Sequence, residues 1–157
     1  MCQTKIGLKL PLIISTYVDK KVRNNMKKES LTYLLARLPI GMSFFGHGLE
    51  RLPRLDAFSH GMAASFSKSI LPEALVLPFG YVLPVLELLT GILLLFGLFT
   101  RFAAVLGVVL MLALIFGSSM IEQWNNVFTQ IIYGAYLALL FYFAEYNTIS
   151  IDGLRAK

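Results

Sequence analysis

Gly80-Tyr81-Val82-Leu83-Pro84-Val85-Leu86-Glu87-Leu88-Leu89-Thr90-Gly91-Ile92-Leu93-Leu94-Leu95-Phe96-Gly97-Leu98-Phe99-Thr100-Arg101 reads as a bilayer-crossing helix with one carboxylate inside it. About 20 apolar residues in a helix span the hydrocarbon. A charge at that depth costs about 2.5–3.5 kcal/mol on insertion scales, so Glu87 is expected to face a partner rather than lipid. Gly80, Pro84, Glu87 and Gly91 recur at helical spacing and share one face. The glycines on that face let a second helix come close. The polar pair Thr100-Arg101 is expected to be the turn into the next helix.

The composition agrees with a membrane chain. Of the 157 residues, 57% are hydrophobic and only 15% charged, and the mean hydropathy is +0.70. Soluble domains carry roughly 25% charged residues. The expected fold class is all-α: a polytopic four-helix transmembrane bundle. The net charge of +5 sits beside the apolar runs, as it does in cytoplasmic flanks, so nucleic acid is not the expected partner. The partner is the lipid bilayer. Cys2 is the single cysteine, which rules out an intrachain disulfide and a Cys-x-x-Cys pair.

Outward from the central span, residues 1–29 read as a basic tail, disordered or interfacial. Met26-Lys27-Lys28 resembles a start, so residues 1–25 are expected to be dispensable. Residues 30–145 form the membrane domain, and residues 146–157 a cytoplasmic tail. The first span is placed at Leu31–His47 with Ser30 as N-cap. Arg37, Gly41 and Gly48 share a face there. Between Glu50 and Leu77, the repeat Phe58, Met62, Phe66, Ile70 predicts an amphipathic helix. Asp56 would cap it, Pro72 would end it, and it would lie in the membrane interface or across the bundle mouth. The third span is placed at Phe102–Ile121 and the fourth at Val127–Ala144, with Trp124 in the loop between them. Lys20, Lys21, Arg23, Lys27, Lys28, Arg101, Arg155 and Lys157 all fall on one side of a four-span chain. Both termini are therefore expected on the cytoplasmic side of the cell membrane.

The ionisable residues inside the spans are the candidate chemistry. At about 1.5 Å per residue, Arg37 lies ~9 Å and His47 ~24 Å from the cytoplasmic end of the first span, and Glu87 ~18 Å from Phe99. Side chains lean toward the N-terminus of their own helix, so Glu87 and His47 converge while Arg37 leans away. Arg37 is as well placed for Glu145. A desolvated carboxyl beside a histidine suits proton handling. Phe44, Phe45, Tyr133 and Tyr136 are the candidate rings to sandwich a ligand. The plainer reading is that the charges pair to fix helix register and the aromatics fill the core. A bis-histidine haem would need His47 and His60 at facing depths, but His60 falls in the predicted loop helix, and no glycine fingerprint for a dinucleotide is present. No intrinsic metal or redox cofactor is expected.

Leu35-Ala36-Arg37-Leu38, Gly41, Phe45-Gly46-His47-Gly48 and Arg51, followed by Val85-Leu86-Glu87, Gly91, Leu93-Leu94, Gly97-Leu98, Thr100-Arg101 and Ala103-Ala104, resemble the DoxX family of four-span membrane proteins. The resemblance covers most of Leu34–Leu114. Some relatives are membrane subunits of thiosulfate:quinone oxidoreductases. It therefore implies a membrane subunit of a quinone-linked oxidoreductase, with a bound quinone and with a second oxidoreductase subunit or a homo-oligomer as partner. Glu87 and His47 would be the catalytic pair, and Arg37, Tyr133, Tyr136, Phe44 and Phe45 the ligand contacts. The alternative is a non-catalytic binding, permeation or scaffold protein.

Overall fold

In the computed structural model, the backbone of residues 9–155 and the side chains of residues 25–155 are described. Among these residues every element is helical. The order is α1 (Lys9–Arg51), a 3-10 turn (Leu52–Arg54), α2 (Leu55–Ser65), α3 (Glu73–Phe96), α4 (Thr100–Met120), α5 (Trp124–Tyr142), a second 3-10 turn (Ala144–Tyr146) and α6 (Ile151–Arg155). Of these, α3 and α4 are long and apolar enough to cross a membrane. Amides, hydroxyls and three tyrosines dilute the hydropathy of α5, and α1 carries the basic stretch.

Several expected boundaries move. Helix α1 runs without a break through Ser30, which caps nothing; its hydroxyl bonds to the Met26 carbonyl one turn back. Pro11 falls in the first turn, where a missing N–H costs no helical bond. Thr100-Arg101 is not a turn either. The turn is Gly97-Leu98-Phe99, with Gly97 at φ +62° and Phe99 at φ +46°, and Thr100 opens α4. Asp56 lies inside α2 rather than capping it, and α2 stops at Ser65. Ile70 therefore lies outside the helix, 85% exposed.

Packing follows the small-residue stripes. A Cβ at Gly48 would lie 2.5 Å from the Leu88 amide, and one at Gly91 would run into the Phe45 backbone. Only glycine permits so close an approach of two helices. Further along, Ser59 of α2 lies against Gly80. So α1 and α2 run end to end along α3, antiparallel to it. The end of α1 comes level with the middle of α3, roughly 18 Å below Glu73 at 1.5 Å per residue. Helices α4 and α5 make the second tight pair, with Leu137 against Gly107. Phe44, Leu94, Ala103, Leu110 and Leu137 fill the space between the pairs.

Candidate functional site

Toward the α2 end the two helix pairs separate around a cavity of 740 Å³. Its charged wall comes from α1 and α3. The Arg51 Nη1 donates to Glu87 Oε2 at 2.5 Å, and Glu87 is 3% exposed. The Arg51 guanidinium also lies 4.7 Å over the Phe58 ring of α2, so one side chain ties α1, α2 and α3 together. His47, one turn before Arg51, lines the same cavity and is exposed. The facing wall, from α4 and α5, is neutral and polar at Ser118, Thr129, Gln130 and Tyr133. Gln130 Nε2 donates to Ser118 Oγ at 3.0 Å. Between the walls the lining is apolar, including Met62, Phe66 and Phe79.

The expected Glu87–His47 pair is not formed. Glu87 pairs with Arg51, because α1 continues past Gly48 and carries the guanidinium to the depth of the carboxylate. Positions 37, 41, 44, 48 and 51 fall on one helical stripe, the signal that would have pointed to Arg51. Phe44 and Tyr133 do share the cavity, their ring centroids 6.2 Å apart. Phe45 and Tyr136 do not line it. Phe45 is held in the α1–α3 contact, and the Tyr136 hydroxyl donates to the Ala36 carbonyl at 2.7 Å. With the Tyr33 bond to Leu140 and the Ser43–Tyr133 bond, the tyrosines cross-link α1 to α5.

Arg37 sits at the other end and meets neither Glu87 nor Glu145. Its Nη1 donates to Asn147 Oδ1 at 2.5 Å and its Nη2 to the Ile149 carbonyl at 3.4 Å, and it is 2% exposed. The Asn147 amide in turn donates to Thr100 Oγ1 at 2.8 Å. Asp152 accepts from the amides of Phe99 and Thr100 at 2.8 and 2.9 Å and from the Thr100 hydroxyl at 3.0 Å. It thereby closes the N-terminus of α4. Burial raises the Asp152 carboxyl, but the Thr100 and Phe99 amides and the Thr100 hydroxyl outweigh it and hold the group below its ordinary 3.8. The C-terminal segment, expected as a cytoplasmic tail, lies as a strap over the buried guanidinium.

The two centres differ in chemical capacity. At the Arg37 end both Nη atoms are bonded to oxygens of the chain itself, and the Nε is buried without a partner. At the Arg51 end a carboxylate, a guanidinium and an imidazole face open volume. That set can hydrogen-bond a carbonyl or an anionic oxygen and hold a proton beside it.

The sequence profile of the DoxX family matches residues 32–119, more than half of the chain. The match takes in Arg37, His47, Arg51 and Glu87. No curated protein sequence and no solved structure matches the chain.

Proposed function

The chain belongs to the DoxX family of membrane proteins, and we propose that it binds a quinone in the α2-end cavity as the membrane subunit of a quinone-linked oxidoreductase. The observation that carries this reading is the pair of buried Glu87 and part-exposed Arg51 at the base of a largely apolar cavity. A quinone needs an apolar site for its ring, a donor at a carbonyl oxygen, and protons when it is reduced. Arg51 is the donor, Glu87 holds the proton, and His47 exchanges it with the exposed side. Taking up two electrons and two protons turns the quinone into a quinol. The electrons come from a partner subunit, since none of these side chains supplies them.

The same reading makes α1, α3, α4 and α5 the four spans, with both termini cytoplasmic. Lys27, Lys28, Arg101 and Arg155 gather at the Arg37 end, while Glu50, Asp56, Glu73 and Glu122 balance the basic residues at the Arg51 end. In a Cys2→Ser background, an impermeant thiol reagent added outside intact cells should label Ser67→Cys and spare Arg155→Cys. The reverse pattern would overturn the topology.

Quinone binding to the purified protein tests the function. Wild type should bind, while Glu87→Gln and Arg51→Gln should each lose tenfold or more, since either change removes one charge of the pair. A wild-type protein that binds no quinone would sink the reading. The pair is also closed on itself, which suits a scaffold or binding protein without catalysis. Bound quinone that no reductant or partner subunit can reduce would favour that second reading.

A further inference from the structure

The cavity wall has a break. Leu75 in the first turn of α3 and Phe116 in the last turns of α4 both line the cavity, yet they are 63% and 55% exposed. A side chain that touches both the interior volume and the outer surface marks a place where the two are continuous; His47, Ser65 and Thr129 mark polar openings of the same cavity, and Leu75 and Phe116 mark an apolar one. The outer surface at this point is apolar. Helix α4 carries no charge from Phe102 to Ile121, and its outward residues Val105, Val109, Leu112 and Phe116 form one exposed stripe. Glu73, in the same first turn of α3 as Leu75, is exposed at the rim of this surface, and Arg54 and Asp56 are exposed at the start of α2. So the gap between α3 and α4 faces acyl chains, while the side covered by α2 faces polar surroundings.

From this geometry we infer that the cavity is filled sideways from the bilayer, through a portal between Leu75 and Phe116, and that its ligand is an amphiphile with a long apolar chain. This rests on the quinone reading above and narrows it. The polar head reaches down to Arg51 and Glu87, roughly 21 Å below the start of α3, counting 1.5 Å per residue from Glu73 to Glu87. The chain runs back along Phe79 and leaves between Leu75 and Phe116 into lipid. A chain that enters from the bilayer has already left water, so the channel selects it by packing against its walls, while Arg51 and Glu87 select the head by hydrogen bonds. A small hydrated anion would gain nothing from this route.

The test compares two probes on the full chain in lipid nanodiscs. One is ubiquinone-2, with two isoprene units. The other is ubiquinone-0, the same ring without the chain. Affinities are corrected for partition into lipid. Wild type should prefer the chain-bearing probe at least tenfold. In Leu75→Trp/Phe116→Trp the ratio of the two affinities should fall fivefold or more. In Leu112→Trp, on the same stripe but away from the cavity, it should not change. If the double variant does not fold, Phe116→Ala widens the gap instead and should speed dissociation of ubiquinone-2. An unchanged ratio in the double variant, an unchanged dissociation rate in Phe116→Ala, or equal wild-type affinity for both probes overturns the portal. Absence of binding of either probe to wild type overturns the quinone reading itself, and the portal with it.

Discussion

Arg37 and Arg51 lie on one stripe of one helix and have opposite surroundings. Arg37 is sealed under the C-terminal strap and bonded to neutral oxygens of Asn147 and Ile149. Arg51 is bonded to a carboxylate, and its side chain keeps 23% exposure at the edge of an open volume. The difference teaches what kind of arginine is free to act. Arg37 has both Nη atoms on neutral oxygens of the chain and is sealed away from the cavity, so it holds the fold. A carboxylate partner beside open volume can trade its bond for one to a ligand, which is the role the proposed function gives Arg51. Among the described residues the only other side-chain ion pair, Glu50 with Arg54, is exposed and contributes little.

The sharpest way to break this contrast is Arg37→Ala. It leaves Asn147 and the Ile149 carbonyl without their donor and opens a void under the strap. The expected loss is about 3–5 kcal/mol, read as a large fall in melting temperature, while ligand affinity per folded molecule stays as in wild type. A fall in affinity without loss of stability would reverse the roles of the two arginines.

A smaller effect is expected from Gly91→Ala, where the new methyl meets the Phe45 backbone. Parting α1 from α3 should cost about 1–3 kcal/mol. Because α1 carries both arginines, this change should weaken both ends together, in melting and in binding. A loss confined to melting would show that the Arg51 site does not depend on the α1–α3 contact.

The smallest expected effect is at the strap, with Asp152→Asn costing about 1 kcal/mol as a lost helix cap. Its pH dependence has a defined sign. The folded carboxyl lies below its ordinary 3.8, so its contribution is present above the unfolded value and disappears as pH falls through the folded one. Wild type should thus lose a small increment of stability in that acid window, and Asp152→Asn should lack it. Identical acid limbs for the two proteins would remove Asp152 from the account.

Much of this was legible in the sequence. The helical class, the runs that became α3 and α4, and the face of Gly80, Pro84, Glu87 and Gly91 all depend on local hydropathy and periodicity, which one chain displays directly. So does the expectation that Glu87 must meet a partner inside the bundle, since a lone charge there is costly at any register. The identity of that partner was decided by tertiary structure alone. It depends on how far α1 continues past Gly48 and on how deeply Gly48 and Gly91 let the backbones approach, which sets Arg51 rather than His47 beside the carboxylate. The strap over Arg37 was hidden for a similar reason. Asn147 and Asp152 are ordinary tail residues in sequence, and only the return of the chain to the α3–α4 turn gives them partners more than 45 positions away. Periodicity reports which face a residue occupies, whereas depth and partners come from the packing of one helix on another.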